Sequence, residues 1–107
     1  MIVVTTDTVA DHAITKTLGT VIGNTIRARH LGKDITAGLR SLVGGEITEY
    51  TGMMAESREQ SLQRMLDRAK ELNADAIVGV RFQTSMIMQG SAELLVYGTA
   101  VNLKQNK

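Results

Sequence analysis

Residues 76–103 read AIVGVRFQTSMIMQGSAELLVYGTAVNL, and this stretch decides the fold. Two runs rich in β-branched and apolar residues are separated by Gln89 and Gly90, the spacing of a β-hairpin with strands over 76–88 and 91–103. Pairing Met88 with Ser91 puts Val78, Val80, Phe82, Thr84 and Met86 on one face with Glu93, Leu95, Tyr97, Thr99, Val101 and Leu103. That face is expected to meet helices. The opposite face holds Ile77, Ile87, Leu94 and Val96, where a sheet face open to water should be polar, so a cover is expected there. A second copy of the chain is the simplest cover. A register offset by one residue, or an N-terminal segment lying across this face, are the alternatives.

Upstream of the hairpin the apolar period changes. Ile47, Tyr50, Met54, Leu62, Met65, Ala69 and Leu72 form a helical stripe that predicts a long helix over 47–72, ended by Asn73 in left-handed geometry. Gly52 lies within it, and a break at 50–52 is the other reading. Before it, Ile35, Leu39 and Leu42 predict a shorter helix that starts at Asp34 as N-cap and stops at Gly44-Gly45. Residues 2–6 read as a first strand and 17–29 as a longer second one, with Gly19 and Gly23 as bulge or bend positions. The expected architecture is α+β: one domain over 1–107, a small antiparallel-containing sheet with two helices packed on one face, in the order β-β-α-α-β-β. Residues 104–107 read as a loose polar tail.

Composition narrows the function classes. Twelve Lys and Arg against eleven Asp and Glu give a net charge of +1, with one Phe, two Tyr and no Trp. That is neither the charge nor the stacking surface that nucleic-acid binding needs. The absence of cysteine excludes disulfides, thiolate metal sites and cysteine nucleophiles. No basic-then-apolar leader and no long apolar run is present, so a cytoplasmic protein with no membrane partner is the expectation.

Few residues point to chemistry. Asp7, Asp11 and His12 form the one compact ligand-like cluster, and with help from elsewhere they could hold a divalent metal; ordinary loop polarity explains them equally. The methionines read as flexible core filling. Arg58 falls inside the apolar stripe, so it is expected to make a structural or interfacial ion pair, with Glu46 or Glu49 as candidate partners. Arg81 is expected at a subunit interface, on the sheet face opposite Glu93. Gly44-Gly45-Glu46 lacks the Lys-Ser/Thr of a phosphate loop, and no hydrolytic triad is legible.

Taken in order, Leu42-Val43-Gly44-Gly45-Glu46, Tyr50-Thr51, Arg58, Arg64-Met65, residues 74–82 (ADAIVGVRF) and residues 97–101 (YGTAV) closely resemble the YbjQ-like family, also called UPF0145 and described as heavy-metal-binding. The resemblance covers nearly the whole chain. It implies a small α+β fold and a ring-like homo-oligomer, a pentamer, while leaving the biochemical role open. This chain departs from the family at Asn73, where a glycine is expected, and at residues 11–13, which replace a more glycine-rich turn. With no cysteine and two histidines it lacks the soft ligands that the metal description suggests.

The leading expectation is therefore a non-enzymatic homo-oligomeric ring that binds a small ligand or protein partner. Metal-ion binding or storage comes second. Third is an enzyme with its active site between subunits, built from residues such as Arg58, Arg81, Glu46 and His30.

Overall fold

In the computed structural model of the chain, described over residues 1–28, 48–88 and 90–106, a four-stranded sheet carries a long helix on one face. The elements are β1 (Ile2–Val3), β2 (His12–Ala28), α1 (Thr48–Glu71), β3 (Ala76–Met88) and β4 (Ser91–Gln105). The sheet order is β1-β3-β4-β2. β4 lies antiparallel between β2 and β3, while β1 runs parallel to β3 through Ile2 opposite Ala76 and Val3 opposite Ile77.

The expected order β-β-α-α-β-β with two helices on one face is thus corrected. Among the described residues the order is β-β-α-β-β, one helix packs on the sheet, and the sheet is mixed. The shorter helix read at 34–42 falls on residues 29–47, outside the described ones. β2 begins at His12 rather than at 17, because Ile14, Thr15 and Thr17 prolong its β-branched run across two register shifts, at Ile14/Lys16 and Thr17/Gly19. β4 runs on through Lys104 and Gln105 opposite Ala13 and His12.

The helix also sits on the other face of the hairpin from the one expected. Met65 and Ala69 pack with Val21, Ile77, Val80, Val96 and Ala100 in one buried cluster. Ile77, Leu94 and Val96, the residues for which a second copy was the expected cover, are buried under α1 of the same chain. The physical reason is backbone access. Gly23 of β2 lies so close to the helix that a Cβ there would stand 2.6 Å from Met65 N and closer still to the Ser61 carbonyl oxygen. The opposite face is covered at its near end by the N-terminal segment, with Val4 and Val9 packed on Ala76, Val78 and Val101.

A bulge at Gly79 (φ 63°) explains the shifted faces. Val78 pairs with Thr99 and Arg81 with Tyr97, so Gly79 and Val80 together stand opposite Gly98. This extra residue swaps the alternation. Val80 joins Ile77 beneath the helix, and Arg81, Gln83 and Ser85 share the far face with Tyr97, Leu95 and Glu93.

The link from α1 to β3 holds four parts of the chain. Asn73 N–H donates to Lys70 O (3.0 Å) and Ala74 N–H to Ala69 O (3.1 Å), the paired bonds of a Schellman ending, with Asn73 at φ 60°. Asp75 Oδ2 accepts from Leu103 N–H (2.9 Å), its own N–H donates to Val101 O (2.9 Å), and its carbonyl accepts from Ile2 N–H (3.4 Å).

Candidate functional site

Where β2 crosses beneath α1, the helix presents hydroxyls rather than hydrocarbon. Ser57, Ser61, Met65 and Ala69 recur every four residues and are all buried, as is Thr25 on the strand below. The Thr25 and Ser61 hydroxyls lie 2.9 Å apart, Thr25 Oγ1 donates to Ser57 O (3.2 Å), and Ser61 Oγ donates to Leu94 O (3.2 Å). Arg27 closes the network at its rim, through Nε to Ser57 Oγ (3.0 Å), Nη2 to Gln60 Oε1 (2.6 Å) and an ion pair with Glu56 (3.7 Å). Among the described residues no buried side-chain nitrogen or oxygen lacks a partner. A fully satisfied network of this kind fixes the rotation and height of the helix.

Two further arginines of α1 reach over the border of the sheet. Arg64 Nη1 donates to Asn24 O and Arg68 Nη1 to Ile22 O, each at 2.6 Å. Beside them an open groove of about 330 Å³ is lined by Thr20, Val21, Ile22, Arg68, Glu71 and Leu72.

The residues singled out in the sequence are dispersed. Arg58 is exposed, because the buried stripe of α1 runs through Ser57 and Ser61 and turns Arg58 to solvent. Glu46 lies outside the described residues, and of Glu49 the backbone alone is described, in the first turn of α1. Arg81 Nη1 donates to Thr5 O (2.8 Å) and Val80 O (2.9 Å), anchoring the N-terminal segment on the Gly79 bulge; it shares a face with Glu93 rather than opposing it. His12 Nδ1 lies 2.7 Å from Ala10 O, in a turn where Asp11 has φ 63°. Asp7 is exposed, with Oδ1 near Gly79. Among the described residues no three His, Asp or Glu side chains come together as a metal site. Of the network residues, Ser57, Ser61 and Thr25 were missed in the sequence. The available signal was Ser at i and i+4 of a helix that follows a glycine-bearing strand.

With this geometry in view, a family model described as "Putative heavy-metal-binding" matches residues 1–104. The chain belongs to that YbjQ-like family. A UPF0145 protein of Methanosarcina acetivorans is 59% identical over 103 residues, covering 96% of this chain and 97% of the relative. A UPF0145 protein of Archaeoglobus fulgidus is 56% identical over 104 residues, covering 97% and 96%. A crystal structure from Pediococcus pentosaceus, of a DUF74-family protein with unknown function, superposes with a TM-score of 0.65 at 18% identity, covering 97% of this chain and 98% of that one. At that identity the likeness speaks for the YbjQ-like fold alone. No helix among the described residues is long and apolar enough to cross a membrane.

Proposed function

We propose that this YbjQ-like chain works as a non-enzymatic subunit of a closed homo-oligomeric ring, five-membered as the family resemblance implies, that presents a binding surface to a small ligand or protein partner in the cytoplasm. The observation that carries this reading is the far half of the sheet. Residues 81–88 are exposed throughout, with Met86 at 81%, Ile87 at 53% and Phe82 at 47%, and Ile26 on the neighbouring end of β2 stands at 60%. The chain extends 57 × 26 × 16 Å, and its radius of gyration of 17.6 Å well exceeds the roughly 13 Å of a compact domain this long. A sheet that projects beyond its own core and ends in hydrocarbon is a subunit surface.

The polar side chains add to this reading. Arg64, Arg68, Arg81, Thr25 and Ser61 all bond to main-chain carbonyls of their own chain, so their chemistry serves packing. Metal-ion binding, to which the family description points, draws no support from side-chain convergence among the described residues. Native mass spectrometry of protein purified without chelator tests the proposal. A closed oligomer is the expected species, and a monomer at working concentration sinks the reading. A stoichiometric metal adduct that persists through dialysis would put metal storage first.

A further inference from the structure

We propose that residues 1–9 form a strap that lifts off the sheet as a unit, hinged at Asp11 and latched by Arg81, and that its opening bares a closed apolar patch of β3 and β4. The strap is held by its backbone more than by its side chains. Ile2 N–H donates to Asp75 O (3.4 Å), Val4 N–H to Ile77 O (3.0 Å), Val80 N–H to Val4 O (3.1 Å) and Gly79 N–H to Thr6 O (2.8 Å). None of residues 1–9 is buried: Val3, Val4 and Val9 are half-buried and the others are exposed. Ordering such a segment costs conformational entropy that so little buried area scarcely offsets, which places it at the low end of local stability.

What lies beneath the strap is closed off from water. Val4 and Val9 pack, with Leu103, on Ala76 (0% exposed), Val78 (6%) and Val101 (1%). This cluster is separate from the one under α1, to which the strap adds Val3, partly buried. Lifting the strap therefore leaves the helix-to-sheet core standing, while it exposes the second cluster and frees the Ile77 carbonyl and the Gly79 and Val80 N–H groups.

The fold marks both ends of this motion. At one end Asn106 N–H donates to Asp11 O (2.8 Å) and His12 pairs with Gln105, so the chain is fixed from Asp11 onward. Asp11 itself takes φ 63°, a left-handed conformation that few side chains adopt, and the turn before it is closed by His12 N–H donating to Val9 O (3.2 Å). Short loop positions of this kind absorb the backbone rotation of a hinge. At the other end Arg81 Nη1 donates to both Thr5 O (2.8 Å) and Val80 O (2.9 Å), joining strap to strand. Arg81 is exposed, so the latch releases into water without stranding a buried charge.

The chain has no cysteine, so a single introduced thiol reports on its own site. Val101→Cys and Val96→Cys place thiols on the same strand but in the two different clusters, Val101 under the strap and Val96 under α1. Thiol labelling of the full-length chain, in the regime where rate follows the open population, should modify Val101→Cys at least about tenfold faster than Val96→Cys. Adding Arg81→Ala should speed labelling of Val101→Cys about fivefold more and leave Val96→Cys unchanged, with Arg81→Lys restoring part of the difference. Hydrogen exchange of the unsubstituted protein is the companion measurement: the Val4, Gly79 and Val80 amides should exchange together, at least about tenfold faster than the Met65 amide in α1. Equal labelling of the two thiols, or Val4, Gly79 and Val80 amides as slow as that of Met65, overturns the strap. An Arg81→Ala effect that is absent, or equal at both thiols, overturns the latch.

Discussion

Replacing Gly23 by alanine should cost this protein about 3 kcal/mol or more, a large share of a domain's usual 5–15 kcal/mol. A methyl there would lie 2.6 Å from Met65 N, and such contacts below 3.0 Å essentially do not occur, so α1 must withdraw by at least the 0.4 Å between those figures. The obstacle is helix backbone, which cannot swing aside as a side chain would. Withdrawal by that amount stretches the Ser61-to-Leu94 bond from 3.2 Å to about 3.6 Å, beyond hydrogen-bonding range. Overpacking of a tight core costs about 1–3 kcal/mol, and loosening the buried Ser61 hydroxyl from its partner about 1–3 kcal/mol more. Urea unfolding followed by helical circular dichroism, at one fixed protein concentration because assembly contributes to apparent stability, measures the loss. Gly52→Ala is the control. Nothing lies within 4 Å of its added methyl, and removing a mid-helix glycine should stabilise by up to about 1 kcal/mol. A loss below about 1 kcal/mol for Gly23→Ala would refute the claim that helix and strand meet backbone to backbone at this point.

Three other outcomes follow from the same geometry. Asn73→Gly should hold or slightly raise the urea midpoint, while Asn73→Ala should lower stability by about 1–2 kcal/mol, because the position needs φ near 60°. Ser61→Ala should cost about 1–3 kcal/mol by removing the buried hydroxyl that joins Leu94 O to Thr25 Oγ1, and Ser61→Thr should not restore the loss if the extra methyl meets β2; thermal melts distinguish the two. Combined Arg64→Ala and Arg68→Ala should change stability by less than about 1 kcal/mol, since both groups are exposed, yet should raise the rate of light-scattering growth on concentration by uncovering the β2 border.

Several parts of this architecture are legible in the residues. The hairpin over 76–88 and 91–103 follows from strand-forming runs on either side of Gln89-Gly90, and Met88 does pair with Ser91. The helix stops at Asn73 because few other side chains tolerate its conformation. The faces were misassigned for a local reason: period-two counting assumes unbroken alternation, and the bulge at Gly79 inserts a residue that composition does not announce. The helix contact was misread for a related one. A stripe drawn through Arg58 ranks residues by hydrophobicity, whereas Gly23 selects for small hydroxyl residues, Ser57 and Ser61, that let the backbones approach. The parallel pairing of Ile2 with Ala76 is a contact across most of the chain, and no local pattern encodes it. Of the candidate sites, Asp7, Asp11 and His12 are neighbours in sequence but do not form a cluster of ligands with any other described residue.

That last strand pairing has a consequence for the nascent chain. The partners of Ile2 and Val3, Ala76 and Ile77, are made more than seventy residues after them, and the carbonyl that receives Ile2 belongs to the turn at Asp75. The β1 pairing is therefore a contact of high sequence separation, which cannot form until β3 has been made. Closing so long a loop makes the placement of β1 a late event in folding, after the local contacts of α1 and of the β3–β4 hairpin.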